Sequence, residues 1–244
     1  MLPAQPNQSL IDGLAVLQTL TVAERPLGVR ELARRLDLEP TRANRLVKTL
    51  AHLGLARQDA DRRYATGPAV HVLAAQTLFA SGLFKRARQP LADLHDLELI
   101  VALGVRWRRH VCYIYHAEPG MDVAEAIGRM HLTPATESGI GMALLSRLDD
   151  AEIRRLYHDQ SIERYQDIDG LLADLRAVHL TGHAVVDLRR RPLVRSVGVA
   201  VGRPAYAGLA VSGAIAKPQI PRIVERLEHA AQAIEPDPQP AHGD

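Results

Sequence analysis

The chain has 244 residues, of which 47% are apolar and 24% are charged. This composition fills one or two ordinary folded cores and excludes a disordered or collagen-like chain. Thirty basic and 28 acidic residues leave a net charge of only +2, which excludes a uniformly basic coat for nucleic acid. A polyanion would therefore have to bind a local patch. The single cysteine, Cys112, cannot form an internal disulfide, which is typical of a reducing compartment.

The sequence has no segment typical of export or membrane insertion. The longest uncharged run is residues 64–84. It is interrupted by Gly67, Pro68 and several polar side chains, so we do not expect it to span a bilayer. The first nine residues lack the basic residue and the apolar core of a signal peptide. We therefore expect a soluble, cytoplasmic protein that makes no membrane contact.

Residues 8–67 have the pattern of a small helical domain that ends in a hairpin. Apolar residues recur there at helical spacing in three short stretches, and Pro40 stands where the third helix would begin. The predicted elements are helices over 10–20, 29–36 and 41–53, a turn over 37–40, and two strands within 55–66 around a polar tip at 59–63.

Residues 69–97 are helical by composition, with an interruption near Ser81 and Gly82. The first part, over 69–84, is apolar on too many sides for an isolated surface helix. We expect this linker helix to pack against a second copy of itself.

Residues 98–234 change character, because strand patterns there precede and follow a group of helices. The predicted strands are 99–106, 111–117, 183–188, 193–202 and 205–212, with a weaker candidate over 124–131; the predicted helices are 140–147, 150–158, 168–181 and 218–234. This order predicts an α+β domain with one mostly antiparallel sheet flanked by helices. The proline-rich tail over 235–244 is expected to be disordered.

The third predicted helix lies in a stretch, residues 40–58, that contains basic but no acidic side chains. A short helix, a four-residue turn and a helix that begins with polar side chains fit a helix-turn-helix, whose second helix enters the major groove. We expect Arg42 and Asn44 to contact bases, and Arg45 and Lys48 to contact bases or phosphates. The candidate DNA-binding residues of this helix are Thr41, Arg42, Asn44, Arg45 and Lys48.

The two strands after this helix resemble the wing of a winged helix. Arg62 and Arg63 lie at its tip, where they would reach phosphates or the minor groove. The alternative is that all these charges only form the solvated surface of a small helical domain. The helix-turn-helix spacing, the acid-free stretch and the basic wing together favour DNA binding.

Residues 9–73 resemble the winged helix-turn-helix of the IclR family of bacterial transcriptional regulators. The similarity rests on LARRLDL, NRLVKTLAHLGL and DRRYATGPAVHVLA, and it continues through nearly the whole chain to Ile234. Arg45-Leu46-Val47 matches the family's recognition-helix core, and 64–67 matches the end of its wing. Asp37 replaces the usual turn glycine, which Asp can do because it tolerates left-handed backbone. The resemblance implies a linker helix followed by a GAF-like effector-binding domain.

A run of small residues over 136–144 stands at a predicted helix start in the second half. Free backbone amides at Gly139, Ile140 and Gly141 could hold a carboxylate, helped by the helix dipole. The alternative is a capped helix that packs closely, which the residues alone favour. A dinucleotide fingerprint is excluded, because Leu144 stands where Gly or Ala is required.

The same run resembles the family segment at the mouth of the effector pocket, which implies that Gly139 and Ile140 offer amides to a small ligand. By the same resemblance Ser196 is a small polar pocket residue, and Ser212 matches a serine of the family's Ser-x-Ser-Gly motif. Asp187 either lines the pocket or merely ends a strand. The first serine of the motif is Ala210 here, so we expect a more apolar effector than the usual small acid.

Other chemistry finds little support in the sequence. The basic run 189–191 fits a solvated turn better than a ligand or DNA contact. His179 and His183 are four apart, but Gly182 would end the helix that aligns them, and no partner has metal-ligand spacing. His110 and His116 could share one face of a strand. We expect no metal, no cofactor and no catalytic residue, because no nucleophile elbow or Walker loop is present.

The sequence thus predicts a ligand-responsive transcription factor that binds a double-stranded DNA operator as a homodimer or homotetramer. Its predicted domains are the winged helix-turn-helix over 1–68, the linker helix over 69–84, the effector-binding domain over 85–234, and the tail. The alternatives are a hydrolase-like enzyme with a DNA-binding appendage and a DNA-binding scaffold without a ligand.

Overall fold

The computed structural model describes residues 5–122, 125–127, 132–188 and 193–235. The chain divides into two compact units, Met1–Gly82 and Leu83–Asp244, so the division falls just before the predicted boundary at residue 85. The helices are α1 (Gln8–Thr21), α2 (Val29–Leu36), α3 (Pro40–His52), α4 (Ala69–Ser81), α5 (Leu83–Leu94), α6 (Gly139–Leu145), α7 (Asp150–Leu156), α8 (Ile168–Thr181) and α9 (Ile220–Ile234). The strands are β1 (Ala56–Gln58), β2 (Tyr64–Thr66), β3 (Ile100–Trp107), β4 (His110–Ala117), β5 (Thr133–Pro134), β6 (His183–Leu188), β7 (Val194–Val201) and β8 (Ala207–Gly213).

The first unit is a winged helix-turn-helix, as predicted. Helices α1, α2 and α3 pack together, and β1 pairs with β2 in an antiparallel hairpin. Leu27 and Tyr64 exchange two backbone hydrogen bonds of 2.8 Å, which tie the segment before α2 to the hairpin. Their side chains lie in a core of eight buried residues: Val16, Leu20, Leu27, Leu32, Val47, Leu50, Ala56 and Tyr64.

The turn between α2 and α3 depends on one left-handed residue. Asp37 has φ 51° and ψ 47°, and Leu38 N–H donates to the Ala33 carbonyl at 2.9 Å, which closes the end of α2. Pro40 then begins α3, where its fixed φ suits the first helical position. The expectation that Asp37 supports the turn in place of glycine is confirmed.

Helix α4 buries none of its side chains against the rest of the described chain. Its apolar residues are nevertheless large, and Phe79 is 91% exposed, with Val72 and Leu73 more than half exposed. Packing of this helix against a second copy stays a prediction. Among the residues that the structure describes, no helix is both long and apolar enough to cross a membrane.

The second unit is built on a six-stranded sheet in the order β5-β4-β3-β8-β7-β6, with every neighbouring pair antiparallel. Helices α5 and α9 cover one face, where Val101, Leu103, Val197 and Leu209 point. Helices α6 and α8 contribute to the core on the other face. The predicted α+β architecture with a mostly antiparallel sheet is confirmed.

The face of the sheet under α6 carries small residues, since that helix lies directly on the strands. Gly208 illustrates the spacing, because a Cβ there would lie 2.8 Å from Cγ2 of the fully buried Ile140. Ala102 and Ala210, paired across β3 and β8, belong to the same core. Small residues in these strands therefore admit a helix backbone close to the sheet.

The structure departs from the predicted strands in two places, and some predicted segments lie outside the described residues. In the weak candidate over 124–131, only Ile127 pairs, through a single bridge to Tyr115, while residues 124 and 128–131 lie outside the described residues. The edge strand β5 follows that candidate and was not predicted. The basic run 189–191 and residues 236–244 of the predicted tail also lie outside the described residues.

Candidate nucleic-acid interface and ligand site

The core of the first unit determines which side of α3 is exposed. Ala43, Val47 and Leu50 are buried at helical spacing, so the opposite side faces solvent. Predicted DNA-binding residues lie there: Thr41, Arg45 and Lys48 are exposed, and Asn44 is half-buried. The structure thus brings these four together on one helix surface, with no acidic side chain anywhere between residues 40 and 58.

Two further residues extend this surface and were not singled out from the sequence. Thr49 and His52 are exposed and follow Lys48 by one and four positions. Helical spacing from Arg45 and Lys48 was the signal that could have identified them. We call the six residues Thr41, Asn44, Arg45, Lys48, Thr49 and His52 the α3 face.

Arg42 is placed differently from its neighbours on α3. Its Nε donates to Oδ2 of Asp12 at 2.7 Å, and Asp12, on α1, is 7% exposed. The other carboxylate oxygen of Asp12 accepts from the Gln8 amide at 2.7 Å. Nη2 of Arg42 is buried without a hydrogen-bond partner in the described part of the chain. This arginine therefore ties α3 to α1, an arrangement that disfavours the base contact expected from the sequence.

The hairpin tip exposes both predicted wing arginines. Arg62 takes a left-handed conformation at φ 59°, and the tip is closed by a hydrogen bond of 2.9 Å from Asp59 N–H to the Arg63 carbonyl. The Asp59 carboxylate accepts from Arg63 N–H at 2.8 Å. That acid therefore serves the turn, while the guanidinium groups of Arg62 and Arg63 are exposed.

The first turn of α6 is fully buried, and two of its backbone amides are already paired. Ser138 caps the helix by accepting from Gly141 N–H at 3.2 Å, and Gly139 N–H donates to Oγ of Ser196 at 3.3 Å. A Cβ on Gly198 of β7 would lie 2.3 Å from the Gly139 carbonyl carbon. The structure therefore agrees with the alternative of a capped, closely packed helix, and it brings Gly139, Ile140, Gly141 and Ser196 together.

A β-bulge in β4 determines which tyrosine reaches this site. Leu103 pairs with Tyr115 but Gly104 pairs with Tyr113, so Ile114 is the extra residue. Tyr113 consequently lies on the α6 side and donates to Oγ of Ser138 at 2.9 Å, while Tyr115 joins the core on the opposite side. Strict alternation would have placed both tyrosines on one face.

The bulge also separates two histidines, His110 and His116, that simple alternation would allow to share a face. His116 packs edge-on against Tyr113 at 5.6 Å between ring centroids, and so lies on the α6 side. His110 precedes the bulge and alternates with Val111, which belongs to the α6-side core, so it lies on the other side. The two histidines therefore do not share a strand face, a possibility that the sequence left open because alternation cannot reveal an inserted residue. Burial raises the pKa of the Tyr113 phenol, the group that donates to Ser138, above its ordinary value.

The remaining predicted effector residues lie on different faces of the sheet. Ser212 pairs with Ser196 in the register of β7 and β8, so both point toward α6. Asp187 pairs with Arg195, one residue out of phase with Ser196, and accepts from its Nε at 2.7 Å. Asp187 is therefore separated from the serines by the sheet itself. Within the described ranges, no group of three His, Cys, Asp or Glu side chains could hold a metal ion.

The fold, the α3 face and the basic hairpin tip define a class of protein, namely a DNA-binding regulator with a winged helix-turn-helix and a separate α+β domain. Comparison with family models gives the particular family. The IclR helix-turn-helix domain matches residues 9–60, and the bacterial transcriptional regulator IclR C-terminal domain matches residues 75–235. The chain belongs to the IclR family of bacterial transcriptional regulators, as its sequence predicted.

Individual relatives agree with this assignment. The chain is 28% identical over 221 residues to the HTH-type transcriptional regulator BhcR of Paracoccus denitrificans, which covers 84% of this chain and 77% of that protein. An IclR family transcriptional regulator from Brucella abortus shares its fold with TM-score 0.74 and 24% identity over 94% of this chain and 92% of that one. An IclR homologue from Microbacterium hydrocarbonoxydans, solved with 4-hydroxybenzoate, has TM-score 0.65 and 18% identity over 93% and 97% of the two chains.

Proposed function

We propose that this regulator recognises a double-stranded DNA operator by inserting the α3 face into the major groove. The observation that carries the proposal is that this face is exposed, polar or cationic, and free of acidic side chains, while the opposite side of α3 is fixed in the core. Arginine pairs with guanine and asparagine with adenine through two hydrogen bonds. Asn44 and Arg45 are therefore the proposed base readers, with Thr41 and Lys48 contacting bases or phosphates.

The hairpin tip and Arg42 have separate proposed roles. Arg62 and Arg63 contact phosphates or the minor groove beside the helix, which adds affinity without sequence information. Arg42 holds α3 against α1 through Asp12, so it positions the readers rather than reading a base itself. Because operator DNA lies in the bacterial cytoplasm, we place the protein there.

Fluorescence anisotropy with the promoter region beside the protein's own gene tests the operator proposal. The full chain is titrated into that duplex and into a scrambled duplex of equal length at moderate salt, where phosphate contacts alone are weak. We expect a saturable complex at least about 1,000-fold tighter on the promoter duplex. Equal affinity for the two duplexes would remove the claim of specific recognition.

We further propose that the second unit binds a small organic effector, of the aromatic or carboxylic acid class, beside the first turn of α6. Supporting residues are the hydroxyls of Tyr113, Ser138 and Ser196, which are joined through that turn, with Ser212 in register beside Ser196. Because the Gly139 and Gly141 amides are already paired, the effector is expected to bind the hydroxyls or to displace them from the amides.

Binding of an effector and of DNA must be coupled if the effector prefers one arrangement of the oligomer. Thermal unfolding against a panel of small organic and aromatic acids tests this part, because a saturable ligand raises the unfolding temperature. We expect stabilisation by at least one acid, no turnover of that acid, and a changed affinity for the promoter duplex. Turnover of an acid would favour an enzyme. An unfolding temperature that no acid in the panel changes would favour a DNA-binding scaffold without a ligand.

We propose that the regulator is a homodimer or homotetramer that assembles through α4. The support is the row of large apolar side chains that α4 leaves exposed, including Leu73 and Phe79. Sedimentation equilibrium of the wild type and of Phe79→Glu tests it. We expect the assembly formed by Phe79→Glu to have a lower molar mass than that of the wild type. Equal molar masses would contradict a role for this helix in assembly.

A further inference from the structure

A pocket lies on the opposite face of the sheet from α6, between α5 and β4. It has a volume of about 300 Å³, and its walls include Phe84, Leu91, Tyr115 and Met121. That volume is at the lower end of the range found for small-molecule sites, which suits a ligand with one ring. Every one of these residues belongs to the second unit.

The walls favour an aromatic occupant. Phe84 and Tyr115 are tilted against each other with ring centroids 6.4 Å apart, and His95 meets Tyr115 edge-on at 6.2 Å. The floor is polar but self-satisfied, because His95 Nε2 and the Tyr115 hydroxyl are hydrogen-bonded at 2.7 Å. An apolar ring can therefore cover the Tyr115 hydroxyl and His95 Nε2 without leaving either of these two atoms unpaired.

The rim of the pocket carries an arginine, Arg88, whose side chain is available to bind a ligand. Elsewhere on this side of the second unit, Arg86 donates to the Ile234 carbonyl and Arg226 pairs with Asp96. Arg88 lines the pocket and is exposed, and its side chain has no hydrogen-bond or ion-pair partner among the residues that the structure describes. None of the described lining residues is acidic. An anionic group at the mouth would pair with the planar guanidinium through two hydrogen bonds.

We propose that this pocket binds a small aromatic monocarboxylate, with its ring packed against Phe84 and over the Tyr115–His95 floor and its carboxylate on Arg88. The site is separate from the proposed effector site, since the sheet lies between them and the bulge at Ile114 turns Tyr115 away from α6. Phe84 and Arg88 lie in the first two turns of α5, the helix that follows α4 after Gly82. A ligand here would stabilise the start of the second unit.

Isothermal titration calorimetry of the full chain with benzoate, without DNA, tests the proposal independently of operator or effector function. We expect saturable binding that Arg88→Gln and Phe84→Leu each weaken about tenfold or more, the loss of one charged hydrogen-bonded contact or of a stacked ring. Benzamide, which lacks the charge, should bind wild type weakly and to a similar extent as benzoate binds Arg88→Gln. Lys85→Gln is the matched control, because Lys85 is an exposed cation on the same helix that does not line the pocket.

Three results would overturn the proposal. One is the absence of saturable benzoate binding at millimolar concentration. Another is binding to Arg88→Gln that equals binding to the wild type or to Lys85→Gln. The third is binding that Ser212→Ala abolishes while Arg88→Gln retains it, which would place benzoate on the α6 side of the sheet.

Discussion

Helices α3 and α6 both begin with small or polar residues, yet the structure uses these two helix starts in opposite ways. The N-cap of α3, Glu39, makes no side-chain capping hydrogen bond, and the first turn carries exposed side chains. The N-cap of α6, Ser138, does cap its helix, and all seven residues of α6 are buried. A run of small and polar residues at a helix start therefore indicates a binding surface only where tertiary packing leaves it open.

The largest effect is expected where α6 meets the sheet. Gly198→Val would place a Cβ only 2.3 Å from the carbonyl carbon of Gly139. Because that atom belongs to the backbone, it cannot move aside without disturbing α6. We expect a loss of at least about 3 kcal/mol in the free energy of unfolding, measured by urea denaturation.

Gly13→Ala is the matched control for removal of a glycine. Its Cβ would find Leu46 at 3.9 Å, an ordinary contact, and alanine favours the interior of α1. We expect unchanged or slightly raised stability. Equal destabilisation by Gly198→Val and Gly13→Ala would show that α6 is not closed against β7 as described.

The open helix start should respond in DNA affinity rather than in stability. Arg45→Ala removes a base reader from the α3 face, so we expect about 1 to 3 kcal/mol weaker binding to the promoter duplex, little change on a scrambled duplex, and an unchanged unfolding temperature. Arg155→Ala, an exposed arginine at the end of α7, is the control. Identical anisotropy curves for Arg45→Ala and Arg155→Ala would refute the assignment of Arg45.

Arg42 is the member of α3 that should behave like α6, because it acts through packing. A double-mutant cycle of Asp12→Ala and Arg42→Ala should give a coupling of about 1 kcal/mol in the free energy of unfolding, since removal of Arg42 leaves the buried Asp12 carboxylate without its 2.7 Å partner while Arg42 itself is partly exposed. Additive effects in urea denaturation would mean that the ion pair contributes nothing and that Arg42 is available to DNA.

The smallest effect is expected at the hairpin tip. Arg63→Ala should weaken promoter and scrambled duplexes alike, by less than about 1 kcal/mol, and should reduce the slope of log K against log salt by about one. Anisotropy titrations across a salt series measure both quantities. A loss confined to the promoter duplex would instead make Arg63 a sequence reader.

Local signals predicted most of the fold, because helix periodicity, the Pro40 helix start and the left-handed Asp37 depend on neighbours in the chain. What local signals missed are contacts between residues that are distant in the chain. Asp12 is 30 positions from Arg42, and nothing in the spacing of α3 reveals that Arg42 contacts a buried carboxylate on α1. The positioning role that we propose for Arg42 was therefore out of reach of a pattern argument.

The sequence also could not predict which face of the sheet each side chain of β4 and β6 lies on, for a related reason. A single inserted residue at Ile114 reverses the alternation of β4, which separates Tyr113 from Tyr115 and His110 from His116. Asp187 could be placed near Ser196 by family resemblance, but the register puts the two on opposite faces. Family resemblance thus placed candidate ligand residues on β6, β7 and β8, and the structure shows which of their side chains lie on the α6 side.

Protection of the α3 face by operator DNA is the most direct test of the regulator's proposed action. Cys112→Ser removes the chain's single thiol, and Thr49→Cys or, separately, Arg155→Cys then supplies one exposed thiol on α3 or on α7. Alkylation rates are measured with and without the promoter duplex. We predict that the duplex slows alkylation at position 49 several-fold and leaves position 155 unchanged. An unchanged rate at position 49 in a saturated complex would contradict recognition through α3.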